Sequence, residues 1–450
     1  MKLFQDKEFN RQILSLVLPI SIQQLMLNLV GVSDTVMLGR VGQNALSAAS
    51  LAGYVQFVFS LILTAVSIGA GMFAAQYWGK GDTMNAEKIL ALALRIAVPV
   101  GLEFTVLTAV IPTPLMRLFT GDETLIRLGA AYLRAVSPSY VLCGISQIFL
   151  CLMKNCGMAK KSMRISAYSV ASNIMLNAAL IFGLCGCPRL EIRGAALATV
   201  AARLLECVCA VIGLRCTGVL RLRREYLREG MQTPHGDFWK YTLPVLANEL
   251  VWGLGFTMST VIMGHLGSDA AAANAIANTA KNLAVCVCAG TAAGGGILVG
   301  NTLGAGALDK AKAYGGKLCR LSILGGIVAG ALILISAPVI VRHVDLTAQA
   351  KNYLRGMLLI SACYMIGKSF NSATVAGIFC AGGDARFGLI CDTVVMWGII
   401  VPLGLLAAFV LRQSVPWVYF ILSLDEFLKL PAVRRHYEKY KWLRNLTQQA

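Results

Sequence analysis

Residues 12–39 read QILSLVLPISIQQLMLNLVGVSDTVMLG, and this stretch decides the fold of the chain. It is long and apolar enough to cross a bilayer, which takes about 20 helical residues. Its one charged side chain is Asp34, and no basic residue inside the stretch neutralises it. A charge at the bilayer centre costs about 2.5–3.5 kcal/mol on insertion scales, so we interpret Asp34 as a functional residue. The alternative is a carboxylate satisfied by a neighbouring amide or hydroxyl, with a structural role only.

The same stretch contains one proline and four amide side chains, of which Gln12 is the first residue. Pro19 removes a backbone hydrogen bond and can act as a hinge of the helix. Gln23 and Asp34 are eleven residues apart, about three turns, so they share one face. We predict a bendable first helix with a polar face, and we take Gln23, Gln24 and Asn28 as candidates for lining a substrate cavity.

Composition places the chain in a membrane. Of its 450 residues 57% are apolar and 14% are charged, and the mean hydropathy is +0.68. A soluble protein of this size has about 25% charged residues. The net charge of +18 could indicate a nucleic-acid partner, but the cations lie in short loops between apolar runs, which is the positive-inside pattern of membrane proteins. We therefore expect membrane lipid around the chain and no nucleic acid.

Enzyme motifs are missing from the sequence. Its four histidines are isolated, and it has neither an H-x-x-x-H pair nor a P-loop. A pump driven by ATP within this chain and a membrane-embedded enzyme are thereby disfavoured, which leaves a secondary transporter or a passive channel. The fourteen cysteines are scattered through apolar segments and indicate buried side chains, not a disulfide framework.

Hydropathy predicts twelve transmembrane spans. An even number puts both termini on one side of the membrane, and the basic loops make that side cytoplasmic. The cations of those loops include Lys80, Lys88, Lys154, Lys160, Lys161, Arg221, Arg223, Arg224, Arg228, Lys310, Lys312 and Arg434. The predicted spans are residues 12–38, 45–76, 89–113, 125–150, 163–184, 193–215, 240–264, 270–300, 312–341, 350–379, 387–411 and 414–430.

The two halves of the chain repeat. A shift of 225 positions brings Pro19 onto Pro244 and Gly79 onto Gly304 without a gap. Hydropathy gives no reason for loop glycines to coincide, so we infer two six-span repeats in the same orientation, related by an axis along the membrane normal. Other matched pairs are Thr35 with Thr260, Gly39 with Gly264, Gly42 with Gly267, Gly69 with Gly294, Gly71 with Gly296 and Gly81 with Gly306.

This repeat divides the chain. The predicted parts are an N-lobe of six spans over residues 1–215, a cytoplasmic linker over 216–239, a C-lobe over 240–430 and a basic cytoplasmic tail over 431–450.

The copies differ in their charged residues. Asp34 has Ser259 as its counterpart, whereas Gln24 has Glu249, so each first span carries one carboxylate at a different depth. Lys281 and Asp392 also lie within spans of the second half, and charges there should pair or face water. We hypothesise that Lys281 pairs with Asp392 or with Glu249, as a site or as a purely structural pair.

In the first half of the chain, other polar residues are spaced so that they can contact each other within one helix. Arg203 and Glu206 are three residues apart and predict an ion pair within one helix. Asn173 and Asn177 share a face of span five. Amide oxygens suit a small hard cation or a protonatable acid, but asparagines in membrane helices also simply bond across helices.

These motifs resemble the multidrug and toxic compound extrusion (MATE) family, within the multidrug/oligosaccharidyl-lipid/polysaccharide (MOP) exporter group. The resemblance covers the whole chain, and the two-times-six layout agrees with it. The matching segments are Pro19 with Asp34-Thr-Val-Met-Leu-Gly39, Gly79-Lys-Gly81-Asp82, Gly194-Ala-Ala-Leu-Ala-Thr199, Gly304-Ala-Gly306 and Gly382-Gly383-Asp384.

The resemblance implies a fold and a function. The fold is an all-α membrane protein whose twelve helices form two parallel six-helix repeats in a V-shaped pair of lobes. The function is antiport of H⁺ or Na⁺ against amphiphilic, cationic organic compounds, by a monomer in the bacterial plasma membrane with no resident cofactor. The alternative is export or flipping of an endogenous lipid-linked or metabolite substrate on the same fold.

The resemblance also implies a cation site. Asp34 takes the place of the family's N-lobe acid, with Asn173, Asn177 and Thr199 as partners and H⁺ or Na⁺ as the ion. Many relatives have an aspartate where this chain has Asn177, so the identity of the ion stays open. Some sodium-coupled relatives also use a C-lobe Glu and Asp; Glu249 lies about one turn from the first, and no acid occupies the second, so we favour coupling through the N-lobe.

Overall fold

The computed structural model describes residues 6–223, 225–226 and 235–447, and within those ranges its regular elements are helices. Much of the predicted linker, including Arg224 and Arg228, and the last three residues of the predicted tail lie outside the described residues. The helices of the first half are α1 (Lys7–Val41), α2 (Gln43–Lys80), α3 (Thr83–Val110), α4 (Pro112–Arg117), α5 (Glu123–Val136), α6 (Pro138–Asn155), α7 (Ala159–Phe182) and α8 (Glu191–Thr217).

The second half contains eight α-helices and three π-helical segments. The α-helices are α9 (His235–His265), α10 (Ser268–Gly304), α11 (Leu308–His343), α12 (Ala348–Asn371), α13 (Ala385–Asp392), α14 (Val401–Leu405), α15 (Val415–Leu422) and α16 (Asp425–Glu438). The π-helical segments are Ser372–Phe379, Thr393–Ile400 and Leu406–Val410, and they continue or connect α12, α13 and α14.

Each predicted span corresponds to a helical segment. Nine helical stretches in the described part of the chain are long and apolar enough to cross a membrane, and α5 with α6, bent by 48°, makes a tenth. The segment that begins with α12 occupies the tenth predicted span and carries Lys368. The α15–α16 pair occupies the twelfth, which is broken at Ser423 and Leu424 and is followed at once by Asp425. The polar and charged residues of these two segments lower their hydropathy.

Packing divides the chain into two compact units. The first contains the described residues within Met1–Gln24, Ala75–Gly81 and Gly236–Ala450, and the second contains those within Leu25–Ala74 and Asp82–His235. The lobes predicted from the repeat, 1–215 and 240–430, do not coincide with these units. The start of α1 and the end of α2 belong to the first half of the sequence but pack with the second half.

Ion pairs fix the start of α1 inside the first unit. The Lys310 ammonium lies 2.9 Å from a carboxylate oxygen of Glu8, and Lys317 lies 2.5 Å from Asp6. The hydrogen bond from Lys317 holds the pKa of the Asp6 carboxyl below its ordinary value. Phe9 is buried beside these pairs. The first helix thus begins on the surface of α11.

The helices α2 and α10 cross within the first unit at glycines that the repeat relates. A Cβ added to Gly79 would lie 2.6 Å from the carbonyl carbon of Asn301. A Cβ added to Gly304 would lie 2.5 Å from the carbonyl carbon of Gln76. The same shift of 225 positions takes Gly79 to Gly304 and Gln76 to Asn301. Each repeat therefore supplies one glycine, and the backbone of the other repeat packs directly against it.

Replacing Gly79 or Gly304 by Ala is expected to lower the free energy of unfolding by about 1–3 kcal/mol, because the new methyl group overlaps main chain that cannot rotate away. The midpoint of thermal unfolding in detergent measures this. Gly53→Ala, in the same α2, is the control, since no heavy atom outside its own helix lies within 4 Å of the added Cβ. Equal unfolding midpoints for all three variants would show that the crossing tolerates the methyl group.

The C-terminal segment after α16 packs against this crossing. The Gln76 amide donates to the carbonyl oxygens of Ala381 at 2.7 Å and Arg444 at 3.2 Å, and the Leu446 N–H donates back to Gln76 Oε1 at 2.7 Å. Trp442 is fully buried and stacks on Tyr437 with ring centroids 5.6 Å apart. The predicted basic tail is therefore part of the packed first unit as far as it is described.

Candidate functional site

Asp34 meets the two asparagines of α7 in the second unit. The Asn177 amide nitrogen donates to Asp34 Oδ1 at 2.5 Å and to Asn173 Oδ1 at 3.1 Å. Both asparagines are buried, with 0% and 4% of their surface exposed. Because α7 places residues 173 and 177 one turn apart, both amides face the same point of α1. Asp34, Asn173 and Asn177 form one hydrogen-bonded chain, which we call the N-lobe cluster.

The N-lobe cluster has spare oxygen ligands and no positive charge. Asn177 Oδ1 is buried and makes no hydrogen bond within the described part of the chain. No Lys, Arg or His nitrogen of the described residues lies within 4.0 Å of the Asp34 carboxylate. A half-buried carboxylate without a counter-ion and a free amide oxygen together suit a proton or a small hard cation.

Apolar residues surround the cluster. Leu38, one turn after Asp34 in α1, belongs to a buried group with Ile181 of α7 and Ile192 of α8. Tyr132 of α5 packs against this group and lies near enough to interact electrostatically with Asp34. The sequence analysis missed Tyr132, although Leu125, Leu128 and Tyr132 follow the helical spacing of one face.

Thr199 is the fourth residue that the resemblance implied. Its hydroxyl donates to the carbonyl oxygen of Ala195, one turn earlier in α8, at 3.0 Å. Among the described residues, the hydrogen bonds of the N-lobe cluster do not include Thr199. Its oxygen lone pairs stay available as acceptors.

The other candidates of α1 have different environments. Pro19 and Gln23 are buried in the first unit, whereas Asn28 is exposed and lies in the second. Gln24 is exposed at the boundary in the chain where the first unit ends. Pro19 lies inside α1, which continues as one helix from Lys7 to Val41. The predicted hinge and Asp34 thus share one helix and fall in different packing units.

The predicted pairing of Lys281 is wrong. Asp392 pairs with Lys429 at 2.8 Å. The Lys281 ammonium lies over the rings of Tyr364 and Tyr419, 5.0 and 6.0 Å from their centroids. A cation over an aromatic face is stabilised by the ring quadrupole. Lys281 therefore has an aromatic partner where the sequence predicted an acidic one.

Glu249, the other proposed partner of Lys281, remains without an ion pair within 4.0 Å among the residues that the structure describes. It faces the longer-range charges of Lys368 and Asp392.

A buried ionic network occupies the first unit where α12, α13 and α16 meet. Glu426 accepts from the Lys368 ammonium at 3.0 Å and from the Asn371 amide at 2.8 Å. Lys429 lies 2.8 Å from Asp392 and 3.4 Å from Asp425. The sequence analysis missed the α16 members, although acids at 425 and 426 with a lysine at 429 have the spacing of helical ion pairs.

The first-half pair is confirmed. Arg203 lies 2.7 Å from Glu206 within α8. Glu206 is buried and also accepts from the hydroxyls of Ser146 at 3.0 Å and Ser166 at 3.2 Å. These donors satisfy the carboxylate, so this pair connects α6, α7 and α8 and has a structural role.

The chain matches a known family and known relatives. The sequence model described as MatE matches residues 19–179 and 244–406, and the two matches begin at the prolines that the repeat pairs. A probable multidrug resistance protein NorM of Burkholderia mallei is 29% identical over 88% of this chain and 85% of its own length. The uncharacterized transporter YisQ of Bacillus subtilis is 20% identical over 97% and 96%.

A solved structure has the same fold. The MOP superfamily transporter from Pyrococcus furiosus superposes with a TM-score of 0.87 at 16% identity, covering 98% of this chain and 97% of that one. This likeness concerns the fold: twelve helices in two repeats of six.

Proposed function

This chain belongs to the MatE family of membrane-embedded secondary transporters, and we propose that it exports amphiphilic organic compounds in exchange for a cation. The proposal places the protein in the bacterial plasma membrane as a monomer with both termini in the cytoplasm. The cytoplasmic position of both termini follows from the basic residues in the loops of that side.

The N-lobe cluster carries the proposal. Asp34 binds H⁺ or Na⁺ that enters from outside, and the Asn177 amide, 2.5 Å away, responds to the change in charge. Ion binding alters the bend of α1 about Pro19 and releases the substrate outward, because the ion binds one conformation more tightly than the other. One cation crossing 100 mV releases about 2.3 kcal/mol. That energy supports a substrate gradient of roughly 50-fold.

The proposed substrate class rests on two carboxylates of the chain and on how its relatives are described. Asp34 and Glu249 are carboxylates without an ion-pair partner within 4.0 Å among the described residues, so an apolar cavity that reaches either favours an organic cation. Relatives are described as multidrug resistance proteins. The second candidate is a lipid-linked or metabolite substrate, since the Pyrococcus furiosus transporter is described as having a pocket of reverse polarity that suggests a different function.

A transport assay in liposomes distinguishes the two proposed substrate classes. Purified protein is reconstituted, and efflux of a fluorescent cationic dye is compared with translocation of a fluorescent lipid-linked precursor under the same ion gradient. We expect dye efflux that rises with protein content and precursor translocation equal to protein-free liposomes. Precursor translocation without dye efflux would overturn the proposed substrate class and favour the second candidate.

A further inference from the structure

A cavity lies in the second unit, on the side of α5 opposite Tyr132. It has a volume of about 860 Å³ and is lined by α4, α5 and the start of α8. Three arginines line it: Arg127 and Arg134 from α5 and Arg193 from α8. Residues 127 and 134 are seven apart, two turns of helix, so their guanidinium groups share one face.

The cavity carries an excess of positive charge. None of its three arginines has a carboxylate oxygen within 4.0 Å in the described ranges. The one acid of the lining, Glu123, lies 3.3 Å from Arg117 and is neutralised by it. Like charges around a shared cavity repel each other, and an anion between them removes that repulsion. Guanidinium groups bind phosphate oxygens in a bidentate manner, so a phosphate suits this lining.

The position of the cavity in the fold is unusual for arginines. By the proposed topology, the starts of α5 and α8 lie on the outer side, opposite the basic loops. Positive charge is depleted in short loops on that side. Three arginines without a carboxylate partner in the described ranges are therefore unexpected at this position.

Apolar surface adjoins the cavity. The end of α3 exposes 58% of Val106 and 70% of Val110, and Ile111 follows with 40% exposed. Thr113, two residues later, lines the cavity. An exposed apolar stripe on a membrane helix faces acyl chains. A ligand that bridges the two surfaces has a phosphate at one end and hydrocarbon at the other.

We propose that this cavity binds the phosphate of an anionic phospholipid of the outer leaflet. Arg127, Arg134 and Arg193 hold the phosphate, and the acyl chains lie along Val106 and Val110. The bound lipid stabilises the position of α5, and the opposite face of this helix carries Tyr132 beside the N-lobe cluster. This site does not depend on the ion-coupling role of Asp34.

Lipid titration of the purified full-length protein tests the site. Native mass spectrometry and thermal unfolding are followed in a neutral detergent with added phosphatidylglycerol, phosphatidylcholine or inorganic phosphate. We expect phosphatidylglycerol to bind and raise the unfolding midpoint. Phosphatidylcholine and millimolar inorganic phosphate should leave the midpoint unchanged. Stabilisation by inorganic phosphate equal to that by lipid would overturn the lipid assignment in favour of a soluble anion.

Paired variants localise the effect. Arg127→Gln with Arg134→Gln is expected to weaken phosphatidylglycerol binding at least tenfold while the lipid-free unfolding midpoint stays near wild type, because both side chains are exposed. The matched control is Arg40→Gln with Arg342→Gln, two exposed arginines predicted on the same side and outside the cavity lining. Unchanged lipid binding by the cavity variant, or an equal loss in the control, would refute the proposal.

Discussion

Replacement of Asp34 by Asn is expected to abolish drug resistance and gradient-driven efflux while leaving the protein folded. The amide has the shape of the carboxylate and can still accept a hydrogen bond from Asn177, so the N-lobe cluster keeps its packing. The variant has no charge for a proton or Na⁺ to neutralise, so the conformational equilibrium no longer depends on the ion. Resistance of a drug-hypersensitive strain and dye efflux should both fall to the level of empty vector.

Asp345→Asn is the matched control for this variant. Asp345 is an exposed carboxylate in the loop after α11, and the same substitution there should leave resistance at the wild-type level. Equal amounts of both variants in the membrane show that folding is preserved. Wild-type efflux by Asp34→Asn would remove Asp34 from the coupling mechanism.

Glu426→Gln is expected to produce the largest loss of stability, about 3–5 kcal/mol, because it breaks a buried ion pair and leaves a buried cation uncompensated. Glu426 is 2% exposed and accepts from both Lys368 and Asn371. The midpoint of thermal unfolding in detergent and the yield of monodisperse protein measure the effect.

Glu438→Gln on the same α16 is the control. Glu438 pairs with Arg434 at 3.2 Å, but both side chains are more than half exposed, so the loss should stay below about 1 kcal/mol. Lys368→Met with Glu426→Gln should recover part of the lost stability, since the Lys368 ammonium that Glu426 paired with is removed together with it. An unfolding midpoint for Glu426→Gln equal to that of Glu438→Gln would contradict the structural role of the network.

The sequence predicted the spans and the repeat because both depend on local patterns. Hydropathy alone locates helices in lipid, and the fixed register of Pro19 with Pro244 needs no tertiary information. The repeat also matched Gly79 with Gly304. It could not predict that each glycine rests on the backbone of the other repeat, because that contact depends on how α2 and α10 cross.

The Arg203–Glu206 pair was predicted from its spacing on one helix, whereas the partners of Asp392 and Lys281 lie on other helices and were not predicted. The spacing of Arg203 and Glu206 predicts their contact directly. The partner of Asp392 comes from α16, after the break in the twelfth span, and nothing in the sequence near Asp392 indicates Lys429. The packing units differ from the repeat for the same reason, since ion pairs to α11 attach the start of α1 to the second half.

Substrate efflux from proteoliposomes under separately imposed pH and Na⁺ gradients tests most directly whether an ion at Asp34 powers export. Wild-type protein should move substrate uphill with one of the two gradients and stop when that gradient is collapsed. The Asp34→Asn variant should show no uphill transport with either gradient. Uphill transport by the wild type without any ion gradient, or by the variant at the wild-type rate, would contradict the proposed coupling.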